Sequence, residues 1–310
     1  MEIILILVLA FALDLALGDP PNAVHPVAWL GKIISFLEKQ GIKKGAKFQF
    51  LYGVGMTVFL VAHFAVPVYY LLVYLQSWNA IVYVILGALG LKLSFSFRGL
   101  REAALKVKRL LQEDKTEAAR FEMRALVSRN TEKLPEPMLV SAVVESVAEG
   151  ICDSIVAPLF YFLLFGILGA IGYRVVNTMD AMIGYHGKYE YLGKFASWLD
   201  DVLNYIPARI SVLLLVVASY FSGKNGKAAW QVAFHEHSRT ESPNAGWTIA
   251  AMAGALDVRL EKVGQYRLGI PNTALLPARI NDAVKLLRMT VLIWFLFCLM
   301  IGVIYIVAGT

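Results

Sequence analysis

The sequence predicts an all-α, polytopic membrane protein with about five spans (range four to six) plus amphipathic and cytoplasmic helices. Hydrophobic residues make up 58% of the 310-residue chain and charged residues only 17%, whereas about a quarter of an average soluble domain is charged. The apolar residues are collected in runs long enough to cross a bilayer. Both cysteines, Cys152 and Cys298, lie in such runs, so neither a disulfide framework nor a Cys-x-x-Cys metal site is expected.

Six apolar stretches are the candidate spans of a single integral-membrane domain covering residues 1–310. The first carries Asp14 and leads without a cleavage site into a Pro-rich turn, which favours a retained span over a signal peptide. The fifth is short, and whether it crosses is left open. The stretches lie near residues 2–17, 50–75, 79–97, 150–172, 207–222 and 289–309.

Two polar regions separate these stretches. Residues 98–137 form a charged insert with apolar residues at helical spacing, which predicts amphipathic helices, and residues 223–288 form a polar loop region. In a membrane protein the net charge of +6 indicates loop orientation and anionic headgroups. No basic patch with interleaved aromatic residues indicates nucleic acid. The expected partner is therefore the lipid bilayer and not a nucleic acid.

The distribution of basic residues gives a first topology. The basic loops, which are 18–49 and the two polar regions, lie on the cytoplasmic side if 138–172 and 207–222 each cross once. Residues 173–206 then face outward. This arrangement requires 138–172 to cross straight, and that stretch is long enough to bend or re-enter.

Three carboxylates interrupt the apolar run 138–172, which contains the fourth stretch. Glu145, Glu149 and Asp153 are four residues apart, so they share one face of a continuous helix. An acid at bilayer depth costs roughly 2.5–3.5 kcal/mol, so the column needs partners. A metal ion such as Mg²⁺ held by Glu149 and Asp153 would supply them. Arginines from the basic loops, or an interfacial position with access to water, are the alternatives.

Other candidate polar residues lie near the ends of the apolar stretches. Each has a simpler interpretation. The turn with Asp19 and His25 could be a connector, Asn177 could cap a helix, and Asp201 and Asn204 could belong to an ordinary polar helix face. No Walker-type loop, G-x-S-x-G elbow, H-E-x-x-H or G-x-G-x-x-G motif is present. The candidates are Asp19, His25, Arg174, Asn177, Asp180, Asp201, Asn204, Arg209, Ser242 and Asn244.

Five segments are recognisable, in order and nearly end to end: GDPPNAVHPVAWLG (18–31), ESVAEGICDSIVAPLFY (145–161), YRVVNTMDAMIGY (173–185), LDDVLNYIPAR (199–209) and SPNAGWTIAAMAGAL (242–256). They resemble the CobD/CbiB family, the membrane-bound adenosylcobinamide-phosphate synthases of cobalamin biosynthesis. The chain departs from the family pattern in the acidic helix, which reads AEG…DS (148–154) where the family has AEN…DG. It also departs at Asn130, where the family has Asp, and at 261–263, where the family has Gly-Gly-Pro.

The resemblance implies an acid–amine (amide) ligase. The family is described as coupling aminopropanol or its O-phosphate to the free propionate of adenosylcobyric acid with ATP, giving adenosylcobinamide (phosphate). It therefore implies ATP and Mg²⁺, corrinoid and amino-alcohol substrates, and an active face on the cytoplasmic side of the cell membrane. A homo-oligomer or a complex with other corrinoid enzymes is compatible with it.

We assign roles to the candidate residues by the chemistry that such a ligase needs. Such a reaction needs Mg²⁺ to neutralise phosphate oxygens and a base to accept the ammonium proton. Carboxylates can hold the ion or act as the base, so the catalytic candidates are Glu145, Glu149, Asp153, Asp180 and Asp201. The remaining candidates are expected to bind substrate. A membrane sensor or a transporter of the same fold without ligase activity is the alternative, because acids on apolar helices also mark ion paths.

Overall fold

The computed structural model describes residues 1–21, 23–124, 126–127 and 129–308. The only strands among these residues form an antiparallel hairpin, in which β1 (Leu260–Lys262) pairs with β2 (Tyr266–Leu268). The α-helices, in chain order, are α1 (Glu2–Leu17), α2 (Pro26–Gly41), α3 (Ala46–Trp78), α4 (Ala80–Lys92), α5 (Phe97–Gln112), α6 (Thr116–Met123), α7 (Glu136–Ile151), α8 (Ala157–Ile183), α9 (Lys194–Phe221), α10 (Gly226–Glu236), α11 (Ala245–Leu256) and α12 (Ala278–Ala308).

Five helical stretches of the described residues are long and apolar enough to cross a membrane, which confirms the predicted all-α, multi-pass fold class. The helix at the first predicted span, α1, has 16 residues, and about 20 are needed to cross the hydrocarbon core. The five stretches are Ala46–Trp78, Ala80–Gln112, Glu136–Ile183, Lys194–Phe221 and Ala278–Ala308.

The chain divides into two compact units. The polar regions predicted from the sequence, 98–137 and 223–288, both belong to the second. Unit 1 comprises Met1–Ser96, Ala157–Leu203 and Cys298–Thr310, and unit 2 comprises Phe97–Val156 and Asn204–Phe297.

Unit 1 is built around apolar contacts between α2, α3 and α8. Ile34, Leu60 and Met179, one from each helix, are fully buried in one cluster, and each such side chain stabilises the fold by roughly 1.5–3 kcal/mol. Helix α1 packs on α4, where Gly87 leaves room for the side chain of Ile6. This packing brings the C-terminal ends of α1 and α4 together, which positions the charged residues described below.

Helix α8 bends sharply at Gly166. This residue has φ 63° and ψ −154°, a conformation that is essentially restricted to glycine. The rings of Tyr161 and Tyr173 stack with centroids 5.4 Å apart across the bend, although twelve residues of straight helix would separate them by about 18 Å. The helix that contains the predicted span near 150–172 is therefore bent, which is the possibility left open for 138–172.

Unit 2 contains the amphipathic helix predicted within the polar insert. Helix α5 buries Ala104, Val107 and Leu111 on one face. Residues 223–288, expected to be a loop region, contain α10, α11, the hairpin and the start of α12. Helix formation there follows from packing, because the small side chains of α11 are almost all buried and lie against α10 and α7.

Candidate functional site

The first polar group in unit 1 surrounds Lys92, at the C-terminal end of α4. Its Nζ lies 2.6 Å from Oδ1 of Asp19 and 3.5 Å from Oδ1 of Asp14. Asp19 also accepts a hydrogen bond from the Ser96 hydroxyl. Lys92 and Asp14 are buried, and a buried ammonium group needs such partners because its removal from water is costly. The ion pairs thereby join α1 and the following turn to α4.

The surroundings of this group alter the ionisation of two candidate residues. Burial opposes ionisation of Asp19, but the hydrogen bonds from Lys92 and Ser96 and the charge of Lys92 outweigh it and lower the pKa of that carboxyl. Burial lowers the pKa of His25, although Asp19 acts in the opposite direction. His25 is therefore neutral at pH 7, and its Nδ1 accepts the Val27 N–H at 3.1 Å at the start of α2.

A chain of hydrogen bonds extends the network along α8 and α9. Arg174 donates through Nε to the Ser94 carbonyl oxygen at 2.8 Å and through Nη1 to Asn177 Oδ1 at 3.2 Å. Asn177 donates to Asp200 Oδ1 at 3.3 Å. The charge of Arg174 also acts on His25. Four predicted substrate-binding residues are thus brought into one network: Asp19, His25, Arg174 and Asn177.

The two candidate catalytic acids of unit 1 also lie near one another. Asp180, near the end of α8, accepts a hydrogen bond from Ser197 and interacts electrostatically with Asp201 on α9. Two carboxylates that are close enough to interact electrostatically are candidates for proton transfer in acid–base catalysis. The structure therefore brings together the two acids that the sequence placed in separate segments.

In unit 2, Glu145 joins helix α7 to the β-hairpin. Its carboxylate accepts hydrogen bonds from Arg129 Nη2 at 2.5 Å, Ser141 Oγ at 2.7 Å and the Tyr266 hydroxyl at 2.9 Å. Ser141 in turn accepts the Glu261 N–H at 2.8 Å. Burial, together with the negative charge of Glu145, raises the pKa of Tyr266, which therefore remains a hydrogen-bond donor. Glu145 thus has the arginine partner that was one alternative for the acidic column.

Glu149, one turn further along α7, has different surroundings. Its carboxylate makes no hydrogen bond to any other residue that the structure describes. The charges of Lys262 and Arg129 act on it favourably, and that of Glu145 acts unfavourably. The same two cations, together with Asn130, line part of a cavity of about 190 Å³. Asn130 and residues 261–263, at which the chain departs from the family pattern, therefore line the same cavity.

A third group in unit 2 is centred on Arg209 of α9. Its Nη1 donates to Asn244 Oδ1 at 2.6 Å and to the Tyr205 carbonyl oxygen at 2.8 Å. The guanidinium lies 3.7 Å from the centroid of the Tyr205 ring, a cation–π contact. Ser242 Oγ accepts the Asn244 N–H at 3.2 Å. Arg209, Ser242 and Asn244 thus form one group, and the remaining candidate, Asn204, contacts Cys152 through Oδ1 at 3.6 Å.

The residues predicted to hold Mg²⁺, Glu149 and Asp153, offer two carboxylates. Among the described residues, no three His, Cys, Asp or Glu side chains converge on a point that could hold a metal. The chain turns as a π-helix from Cys152 to Val156, so Asp153 does not continue a straight α-helical column from Glu145. Mg²⁺ is usually bound by one or two carboxylates together with phosphate oxygens and water. Glu149 and Asp153 can supply that number.

Several residues of these networks were not among the candidates from the sequence, including Lys92, Arg129 and Tyr266. A lysine near the end of an apolar stretch can extend its ammonium group to the interface. The signal for a further role of Lys92 was a positive charge inside an apolar run that follows a helix carrying Asp14. Arg129 and Tyr266 lie 16 and 121 residues from Glu145. No local pattern marks these two, because their role depends on contacts formed only in the folded unit.

Comparison of the chain with known proteins identifies its family. The family model described as CobD/Cbib protein matches residues 7–300. A cobalamin biosynthesis protein CobD from Dehalococcoides mccartyi is 54% identical, over 98% of each chain. A probable cobalamin biosynthesis protein CobD from Methanothermobacter thermautotrophicus is 41% identical, over 94% of this chain and 95% of its own. No solved structure matches significantly. The chain therefore belongs to the CobD/CbiB family.

Proposed function

We propose that this protein acts in cobalamin biosynthesis as an ATP-dependent amide ligase. It would join aminopropanol, or aminopropanol O-phosphate, to the free propionate of adenosylcobyric acid to give adenosylcobinamide (phosphate). Family membership over residues 7–300 and the names of the two relatives support the pathway. The type of reaction is our inference from the family resemblance and from the arrangement of the polar residues.

The proposed reaction has two steps that balance. The propionate oxygen first attacks the terminal phosphorus of ATP, which gives an acyl phosphate and ADP. The amine nitrogen then attacks the acyl carbon, the amide bond forms, and inorganic phosphate leaves with the former carboxylate oxygen. The ammonium proton must pass to a base before that attack. The reaction thus needs phosphate-binding cations, a site for Mg²⁺ and a proton acceptor.

The observation that supports this chemistry best is the position of Glu149. Glu149 is half-buried in unit 2, and the charges of Lys262 and Arg129 act on its carboxylate. No other described residue forms a hydrogen bond with that carboxylate. A structural carboxylate would be expected to have such partners, as Glu145 does one turn earlier. A half-buried acid that lies near two cations and has no hydrogen-bond partner among the described residues fits a reacting site.

The other networks supply the remaining functions in this proposal. Glu149 and Asp153 would hold Mg²⁺, which when bound neutralises phosphate oxygens. Asp180 and Asp201 are the acid pair to which we assign the ammonium proton. Substrate binding falls to the network of Asp19, His25, Arg174 and Asn177 and to the group of Asn204, Arg209, Ser242 and Asn244.

The five apolar helical stretches indicate a multi-pass membrane protein, and we place it in the cell membrane with the active face toward the cytoplasm. ATP and the corrinoid substrate are available on that side. The sharp bend at Gly166 supports this placement, because 173–206 need not lie on the opposite side.

A product assay on the purified protein tests the proposal. Adenosylcobyric acid, Mg-ATP and aminopropanol O-phosphate are combined, and mass spectrometry identifies the corrinoid product. Glu149→Gln keeps the size of the side chain, and Glu136→Gln, in the first turn of the same helix, is the matched control. We expect amide product from the wild type and the control, and at least a hundredfold less from Glu149→Gln.

The assay also separates the alternatives. Product from both glutamate variants would retain the ligase and remove the role of Glu149. Absence of product from well-folded wild-type protein would contradict the ligase. A transporter would instead move substrate across vesicle membranes without consuming ATP, and a sensor would bind ligand without turnover.

A further inference from the structure

The cavity beside α7 in unit 2 has features of a binding site. It has a volume of about 190 Å³, and it lies between the segment that follows α6 and the turn of the β-hairpin. A water molecule in the liquid occupies about 30 Å³, so a phosphate group fits with several waters. Its lining residues are Arg129, Asn130, Leu134, Met138, Glu261, Lys262, Val263 and Gln265.

Positive charge and hydrogen-bond donors dominate the polar part of this lining. Lys262 has no ion-pair partner within 4 Å in the described part of the chain. Arg129 is partly engaged, through Nη2 with Glu145 and through Nη1 with the Glu261 carbonyl oxygen. The side-chain oxygen of Asn130 accepts the Glu132 N–H, which leaves its amide N–H groups to donate.

The one acid in the lining is already neutralised. The Glu261 carboxylate pairs with Arg267 Nε at 2.9 Å, so it does not oppose an anion at Lys262. A second cavity of about 370 Å³ runs along residues 261–267 and shares Lys262 and Gln265 with the first. It provides space for the part of a ligand that carries the anionic group.

We propose that this cavity binds a phosphate group, with Lys262 as its main charged contact and Arg129, Asn130 and Gln265 as further donors. Rigid donors around an anion give the short, charge-assisted hydrogen bonds that hold phosphates in proteins. The proposal rests on the proposed ligase reaction, because that reaction offers two sources of the group. One is the phosphate of a phosphorylated amino alcohol, and the other is the terminal phosphate of ATP.

Direct binding, without turnover, tests the site. Purified protein in detergent is titrated by calorimetry with four probes: aminopropanol O-phosphate, unphosphorylated aminopropanol, ATP and inorganic phosphate. The test variant is Lys262→Met, which removes the charge and keeps an extended side chain. The matched control is Lys133→Met, because Lys133 is exposed in the neighbouring loop and does not line the cavity. Circular dichroism and thermal unfolding establish that both variants fold.

We expect Lys262→Met to weaken binding of a phosphate-bearing probe by about 10- to 100-fold, as for loss of a charged hydrogen bond. Lys133→Met should change it less than twofold. A loss confined to aminopropanol O-phosphate identifies the amine substrate as the source, and a loss confined to ATP identifies the nucleotide. Unchanged binding of all phosphate probes would overturn the proposal. An equal loss for unphosphorylated aminopropanol would also overturn it, because the effect would not depend on phosphate.

The failure of this inference is distinguishable from failure of the ligase proposal. If the protein forms amide product and Lys262→Met leaves both phosphate binding and KM unchanged, the ligase stands and the cavity is not its phosphate site. If phosphate probes bind through Lys262 and no amide forms, the site stands and the ligase does not. A genuine contact raises KM for the phosphorylated substrate more than it lowers kcat.

Discussion

Replacement of Lys92 by methionine is expected to destabilise unit 1 severely. Lys92 is the charged partner of Asp14, and the relative exposures of the two side chains are 6% and 0%. Without it, Asp14 would be a buried carboxylate deprived of its cation, and loss of one member of a buried ion pair typically costs about 3–5 kcal/mol. The second partner, Asp19, is partly exposed, so solvent screens it and we assign it little of this cost.

Two variants, Lys92→Met alone and Lys92→Met with Asp14→Asn, give the expected changes in the free energy of unfolding. Lys92→Met alone should lower the free energy of unfolding by about 3–5 kcal/mol. Addition of Asp14→Asn should recover at least a third of that loss, because the unpaired charge is then removed. Lys106→Met is the control, since its ion pair with Glu122 is solvent-exposed and is worth at most about 1 kcal/mol.

The two cysteines provide the assay. Cys152 and Cys298 are buried thiols that form no disulfide, so a thiol-reactive fluorophore labels the protein only as it unfolds in detergent. The unfolding transition of each variant is followed with rising temperature and with rising denaturant. A loss below 1 kcal/mol for Lys92→Met, or no recovery by Asp14→Asn, would refute the view that Lys92 neutralises a buried acid.

Three further perturbations follow from the structure. Gly166→Ala should lower stability by about 1–3 kcal/mol, because the backbone conformation at this position suits glycine alone. Gly55→Ala, in an open position within α3, should be neutral or stabilising in the same assay. Equal effects of the two substitutions would contradict the bend. The lowered pKa of His25 means that the unfolded chain binds more protons as pH falls below the ordinary value of 6.5, so stability should decline there. His25→Asn, which keeps a helix cap, should flatten this decline in unfolding curves measured from pH 8 to 5, and an unchanged slope would contradict the assignment. Tyr266→Phe should cost about 1–3 kcal/mol through the lost donor to buried Glu145, and a change below 0.5 kcal/mol would argue against that hydrogen bond.

The fold class could be predicted because it depends on local properties. Runs of apolar residues long enough to cross a bilayer predict spanning helices wherever the runs occur, and the five helical stretches follow from them. The apolar spacing of α5 likewise predicted a one-sided helix. The sharp bend at Gly166 could not be located, because glycine is common in apolar helices and only packing decides which one leaves the helical conformation.

The candidate site was predicted less completely, for a related reason. Acids and arginines near apolar stretches were recognisable, since charges there need partners. Which partner each one has depends on tertiary contacts, such as Lys92 with Asp19, 73 residues away in the chain. The equal spacing of Glu145, Glu149 and Asp153 suggested one column of three like acids. The structure instead gives the Glu145 carboxylate three hydrogen-bond donors and the Glu149 carboxylate none among the described residues.

The most direct test of the central claim follows the oxygen of the substrate carboxylate. Adenosylcobyric acid labelled with ¹⁸O in its free propionate is incubated with the protein, ATP, Mg²⁺ and aminopropanol O-phosphate, and the corrinoid and phosphate are analysed by mass spectrometry. If the carboxylate is activated by phosphoryl transfer, we expect an amide product and one ¹⁸O atom in each inorganic phosphate released. No amide, or an amide formed with unlabelled phosphate, would contradict activation of the carboxylate by phosphoryl transfer.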